Sequence, residues 1–322
     1  MRAIQIAQTG GPEVLQLVEI DTPEPKSGEV LVRVAAAGVN FIDVYLREGR
    51  YPAPLPFVAG QEGAGTIVAL GGDVTGFDIG DRVAWSMTRG AYAEFAAVPV
   101  SILVKVPEII SLEDAAAVLL QGVTAEYLAT STYVIQAGDT VLIHAGAGGV
   151  GLLLTQIAKI HGAQVITTVS TEMKAELSRK AGADHVILYT LQNFAEEVKR
   201  ITAEEGLPVV YDSVGKTTFE DSLKCLRPRG LLVLFGASSG PVPPFDLMRL
   251  SQMGSLFVTR PTMNNYVPTR EDLEKRTTDL FYWIGRGKLH VRIGQRFPLA
   301  EAAEAHRALE GRKTTGKVLL IP

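Results

Sequence analysis

With 322 residues the chain is long enough for two domains with separate cores. An apolar share of 47% and a charged share of 20% exclude a disordered chain, and a net charge of −4 with an isoelectric point near 5.8 argues against a protein built to grip nucleic-acid backbones. Cys225 is the only cysteine, which excludes an intrachain disulfide and a zinc site made of several thiolates. The start of the chain lacks a signal-peptide core and no apolar run is long enough to cross a bilayer, so a cytoplasmic protein without membrane contact is expected.

Residues 1–120 read as β-rich, with strands predicted at 3–7, 14–20, 29–35, 65–70, 82–85 and 92–98. Turn chemistry separates them, for example Gly10-Gly11-Pro12 and Gly71-Gly72-Asp73, as in a compact, partly open barrel. One short helix is predicted from Asn40, a good N-cap, and a proline-rich loop follows from Tyr51. From Ser111 the rhythm changes to helix and then to strict alternation. Strands are predicted at 140–144, 164–169, 185–188, 209–212, 231–235 and 256–259, with helices between them at 171–181, 194–205, 218–226 and 246–253. The tail offers helices at 270–285 and 299–309 and a last strand at 316–321, too little for a core of its own, so it is expected to rejoin the N-terminal barrel.

At the centre lies Gly146-Ala147-Gly148-Gly149-Val150-Gly151, a G-x-G-x-x-G pattern between a strand and a helix. The first glycine is expected to allow the bend, the second to let the backbone approach a pyrophosphate, and the third to let helix and strand pack closely. This predicts a dinucleotide site on a six-stranded, doubly wound parallel sheet of order 3-2-1-4-5-6, with substrate in the cleft beyond the strands. An NAD site wants an acid at the tip of the second strand, and here the tip reads Thr168-Val169-Ser170-Thr171. Glu172 reads as a first-turn acid of a helix capped by Ser170 or Thr171, and Lys174 follows where an ammonium can meet a 2′-phosphate. These features favour NADPH over NADH.

At this point the chain resembles the medium-chain dehydrogenases/reductases, which pair a GroES-like barrel with such a nucleotide domain. The resemblance implies domains at 1–120 with 264–322 and at 121–263, the Rossmann domain being inserted into the barrel. Where the zinc enzymes of that superfamily carry metal ligands, this chain has Asn40, Gln61 and Gln121, and amides are poor zinc ligands, so a metal-free protein is expected. Glu62 then reads as a buried structural residue. The stretches from Gly38 to Tyr45, Tyr211 to Gly215, Phe235 to Gly240 and Val258 to Pro261 are similar to the zinc-free quinone oxidoreductases, the zeta-crystallin-like branch. That resemblance implies NADPH:quinone oxidoreductase activity and a homodimer joined along the last Rossmann strand.

It also implies site residues. Asn40, Tyr45, Tyr51 and Arg260 would surround the nicotinamide and the quinone, with Tyr45 or Tyr51 bonding the oxyanion and Arg260 offering charge. Ala147, Gly148, Gly149, Val150 and Gly151 would cradle the pyrophosphate, and Ser170, Lys174 and Tyr189 would meet the 2′-phosphate. Thr124, Phe235, Gly236, Ser238, Phe257 and Val258 would line the ribose and carboxamide end, and Lys317 would approach from the last strand. Plainer roles stand beside these: Tyr45 as a buried helix edge, Tyr51 as a loop residue on prolines, Phe235 and Val258 as sheet core, Cys225 as a packed small hydrophobe. A zinc-free reductase of α,β-unsaturated ketones or aldehydes needs the same orientation and coenzyme. An NADPH-regulated RNA-binding or structural role is opposed by the acidic balance and by the lack of a basic run with interleaved aromatics.

Overall fold

The computed structural model describes residues 1–322, which form two compact units, Met1–Val123 with Val267–Pro322 and Thr124–Tyr266. The first unit opens with β1 (Arg2–Ile6), β2 (Gln16–Glu19) and β3 (Glu29–Val39), then α1 (Phe41–Arg47), β4 (Phe57–Val58), β5 (Glu62–Leu70), β6 (Arg82–Ser86), β7 (Phe95–Pro99) and β8 (Leu103–Lys105). Strand β3 alternates buried and outward residues as a half-buried strand should, then turns continuously buried toward its end at Val39. Val30, Val32, Val83, Trp85, Tyr92 and Val98 meet in its core. The expected strand at 14–20 begins only at Gln16, because Pro12 starts a single 3-10 turn through Val14.

Helix α2 (Leu112–Tyr127) ends the first stretch and continues as a π-helical segment over Leu128–Thr132. Tyr211 donates its hydroxyl proton to the Leu128 carbonyl there, at 3.1 Å. The second unit follows with β9 (Thr140–Ile143), α3 (Gly149–Ile160), β10 (Gln164–Val169), α4 (Glu172–Lys180), β11 (His185–Leu188), α5 (Phe194–Ile201), β12 (Leu207–Asp212), α6 (Phe219–Lys224), β13 (Leu226–Leu234), α7 (Met248–Gln252) and β14 (Phe257–Thr259). Its six strands run parallel in the order β11-β10-β9-β12-β13-β14, which is the expected 3-2-1-4-5-6. Helix α5 stops four residues short of expectation, since Ala203 and Glu204 take left-handed conformations ahead of Gly206.

The closing segment brings α8 (Arg270–Gly285), β15 (Ile293–Pro298), α9 (Ala302–Glu310) and β16 (Lys317–Ile321). Strand β16 lies between β15 and β3, pairing Val318 with Val39 and Leu320 with Ala37, so the last strand completes the sheet of the first unit. Strands β4, β8 and β15 carry no clear alternation and were not expected. No helix is long and apolar enough to cross a membrane.

Candidate active site

In the second unit the chain leaves β9 through a tight turn into α3. The left-handed residue of that turn is Ala145, at φ 54°, and not the first glycine as the motif suggests. Gly146 is required for a different reason: a Cβ there would lie 2.5 Å from Thr167 Cβ and 2.9 Å from Ser178 Oγ. Gly151 behaves as expected, since a Cβ would collide with the Ala145 carbonyl. Gly148 is the N-cap of α3 and no side chain caps the helix, so its first N–H groups keep the polarity an anion wants. Beneath the turn, His144 is buried and joined to Thr168 Oγ1 at 2.8 Å and to Ser222 Oγ at 3.0 Å. Ser222 donates to Asp212 at 3.1 Å, which makes the His144 Nε2–H the donor to Ser222. Burial holds the His144 pKa below its usual value, in keeping with a neutral ring. Asp212 also accepts the N–H groups of Val214 and Gly215, at 2.7 and 3.0 Å, and so shapes the turn after β12.

Strands β10 and β11 end side by side, Val169 opposite Leu188. Ser170 and Tyr189 directly follow these two strands, and Lys174 lies in the first turn of α4. Thr171, the second of the two expected caps, accepts from the Lys174 N–H at 3.3 Å. Glu172 is paired with Arg179 on the same helix at 2.5 Å. At the far side of the sheet, Gly236 packs against the Ser213 backbone so tightly that a Cβ would lie 2.5 Å from its carbonyl. Phe235 and Ser238 are half-buried there, and Arg260 is exposed, donating to the Leu234 carbonyl at 2.8 Å. Phe257 is 55% and Val258 37% exposed on the outer strand, so Val258 is not sheet core, because β14 has a neighbour on one side only.

The first unit assembles Asn40, Tyr45, Tyr51 and Lys317. Asn40 is the N-cap of α1, but its side chain makes no cap bond; Asp43 instead accepts the Asn40 N–H at 2.8 Å. The Asn40 amide lies in a buried cluster with Glu62, Lys317 and Gln121. Lys317, expected beside a cofactor, is 1% exposed and bonds Asn40 Oδ1 at 2.7 Å and the Glu62 carboxylate. Glu62 is fully buried and also accepts the Leu120 N–H at 2.7 Å. Gly38 leaves the space for this pair, as a Cβ would strike both Glu62 and the Lys317 stem. Tyr45 is nearly buried, with the more exposed Tyr51 ring edge-on at 5.7 Å and the Arg50 guanidinium 5.3 Å above its face.

A second buried chain joins this cluster through Asp43. Arg47 only donates, so it fixes His306 Nδ1 as the acceptor at 3.2 Å; His306 Nε2–H then faces the Tyr92 oxygen at 3.3 Å, and Tyr92 donates to Asp43 at 3.0 Å. Arg47 is anchored in turn by both carboxylate oxygens of Glu310, at 2.9 and 2.8 Å. Burial pushes the Asp43 pKa up to about 7, despite the bonds it accepts. Burial and the Arg47 charge hold His306 down to about 3. Asp43 lies in the Gly38-to-Tyr45 stretch but is given no role there, while Arg47, Tyr92 and His306 carry no motif; the partners lie up to 263 residues apart in the chain, so nothing in the sequence pointed to their contact.

The parts fit a dinucleotide: a helix N-terminus with no side-chain cap, after a turn whose Gly146 and Gly151 have no room for a side chain, and a lysine in the first helical turn after the second strand. No group of three or more His, Cys, Asp or Glu side chains converges as a metal site would. Cys225 is buried and its thiol is pushed up to about 12 by burial, as a packed residue and not a nucleophile.

Comparison with known proteins completes the picture. Residues 149–280 match the family model described as zinc-binding dehydrogenase, and residues 26–108 the alcohol dehydrogenase GroES-like domain. A quinone oxidoreductase of Pseudomonas aeruginosa is 50% identical, over 100% of this chain and 99% of the relative. The crystal structure of Escherichia coli quinone oxidoreductase complexed with NADPH is 44% identical with a TM-score of 0.98, covering 100% of both chains. A 2-haloacrylate reductase of Burkholderia is 42% identical over 99% of this chain and 98% of that protein.

Proposed function

We propose that this chain, which belongs to the quinone oxidoreductases of the medium-chain dehydrogenase/reductase superfamily, reduces quinones with NADPH and without a metal. The observation that carries the coenzyme is the pairing of β10 with β11, which Ser170 and Tyr189 directly follow, with Lys174 in the first turn of α4. A lysine there favours a 2′-phosphate, and the strand tip itself carries no acid for a 2′-hydroxyl, the nearest carboxylate, Glu172, being paired with Arg179. Ala147, Gly148, Gly149, Val150 and Gly151 hold the pyrophosphate at the N-terminus of α3. Thr124, Phe235, Gly236, Ser238, Phe257 and Val258 line the nicotinamide end.

When bound, the coenzyme supplies the reducing equivalents from its nicotinamide. A quinone is already electrophilic, so the protein's work is orientation, exclusion of water and stabilisation of the developing oxyanion. Tyr45 or Tyr51 donates its hydroxyl to the developing oxyanion, and Arg260 offers positive charge. Asn40 serves by holding shape, because its amide is occupied by Glu62, Lys317, Gly38 and Gln121. The proton comes from water. The protein works in the cytoplasm, where NADPH is kept reduced. It pairs with a second copy along β14, the last strand of the sheet, which has a neighbour on one side only; sedimentation is expected to give the mass of two chains.

NADPH oxidation measured with 1,4-benzoquinone, 9,10-phenanthrenequinone and a simple enone tests the acceptor class. A larger kcat/KM for the quinones is expected. The Burkholderia relative, named for an electron-poor alkene, supports the competing enone activity, and a larger value for the enone would transfer the assignment to it.

A further inference from the structure

The turn that leaves β9 is fastened to one residue of the neighbouring strand on both sides of its strained position. Ala145 is left-handed at φ 54°, a conformation that a residue with a side chain keeps only where its surroundings hold it. After it, the Gly146 N–H donates to the Thr168 carbonyl at 3.0 Å. Before it, His144 Nδ1 lies 2.8 Å from the Thr168 hydroxyl. The direction of that bond follows from the far end of the network. The Asp212 carboxylate only accepts, and it takes the N–H groups of Val214 and Gly215, the Thr218 hydroxyl at 2.7 Å and the Ser222 hydroxyl at 3.1 Å. Ser222 has then no proton left, so it accepts from His144 Nε2–H at 3.0 Å, and His144 Nδ1 accepts from Thr168. Serine, histidine and aspartate meet here as in hydrolases, yet in the wrong order for a nucleophile: the hydroxyl gives its proton to the carboxylate, and all three side chains are buried.

The Gly148 N–H closes the turn on the Ala145 carbonyl at 2.8 Å, so the angle at Ala145 sets where the first N–H groups of α3 point. Ala145 is itself exposed, so packing of its methyl group does not choose that angle. Resting on this turn as the pyrophosphate cradle, we infer that His144 is a positioning residue for the coenzyme: by accepting from Thr168 it holds Ala145 left-handed, and so aims the backbone donors of the cradle. Every residue involved lies in the second unit. Through Ser222 the same ring is tied to Asp212, so the turns that follow β9 and β12 are set together.

The test brings in a residue that takes the left-handed conformation without strain. His144→Phe keeps a ring of similar size against Phe194 but accepts nothing from Thr168. In isothermal titration calorimetry it is expected to bind NADPH about 10-fold more weakly than the wild type, the equivalent of one alanine's left-handed penalty. Adenosine 2′-monophosphate, which has no pyrophosphate, is expected to bind the variant within about twofold of the wild type. Adding Ala145→Gly to His144→Phe is expected to restore NADPH to within about threefold of the wild type, since glycine needs no holding. Thr168→Val removes the donor of the same bond with little change of shape. It is expected to show the same loss and the same rescue, and it carries the test if His144→Phe melts below the assay temperature. An unchanged NADPH affinity overturns the inference. So does an equal loss for NADPH and adenosine 2′-monophosphate, or a loss that Ala145→Gly does not repair, which is what a merely structural His144 would give. If Gly151→Val binds NADPH as the wild type does, the cradle itself is refuted and the inference falls with it, a result that the His144 variants do not produce.

Discussion

In the second unit the loop after β9 is held by nearness. Gly146 lies against Thr167 and Ser178, and Gly151 against the Ala145 carbonyl, so closely that neither has room for a methyl group. In the first unit the surface around Asn40 is held by charge, with Lys317 and Glu62 paired at 1% and 0% exposure. One arrangement fails when an atom is added and the other when a charge is removed. The positional demands differ accordingly: the glycine loop draws on residues close in sequence, while Lys317 stands 255 residues from Glu62.

The contrast is broken most severely by Lys317→Met, which strands a buried carboxylate. It is expected to lower stability by about 3–5 kcal/mol in denaturant unfolding, and E62Q/K317M is expected to recover most of that loss. Gly151→Val is the steric counterpart. It is expected to weaken NADPH by about 100-fold in calorimetry, the effect of a displaced cradle, with a drop of a few degrees in melting temperature. Lys174→Ala sharpens the picture of the second unit: NADPH is expected to weaken by about 10-fold or more while NADH is unchanged.

The most gradual effect concerns pH. Asp43 moves from 3.8 to about 7 on folding, so the folded state holds the extra proton between those values; the stability this confers is present below pH 4 and is lost as pH rises through 7. His306 moves from 6.5 to about 3, so the unfolded state holds the extra proton; that stability is present above 6.5 and is lost as pH falls through 3. Their slopes oppose each other in the acid range. Asp43→Asn keeps an acceptor for Tyr92 and Asn40 but removes one slope. Its stability relative to the wild type is expected to rise with pH between 4 and 7 by at most about 1.4 kcal/mol per unit, measured by denaturant unfolding across that range.

The second unit was largely legible in the sequence. Strands at Gln164–Val169 and His185–Leu188 announce themselves by apolar runs between glycines and helix caps, and the alternation fixes the sheet order. The first unit was less so. Strand β15 reads Ile293-Gly294-Gln295-Arg296-Phe297-Pro298, a pattern without period, and it forms because β16 offers a parallel partner. The left-handed Ala145 was hidden by the glycine next to it, which a motif credits with the bend. Asn40 and Lys317 were both singled out, yet the bond between them was not, because no local pattern encodes a contact across 277 residues.

Strand β16 also bears on how the protein is made. A ribosome that has released residues 1–266 has delivered every residue of the nucleotide-binding unit, while the barrel still lacks the strand that flanks β3 and the ammonium that neutralises Glu62. The half of the barrel translated first must therefore wait for the half translated last, and Glu62 stays hydrated until residue 317 arrives to accompany it inward.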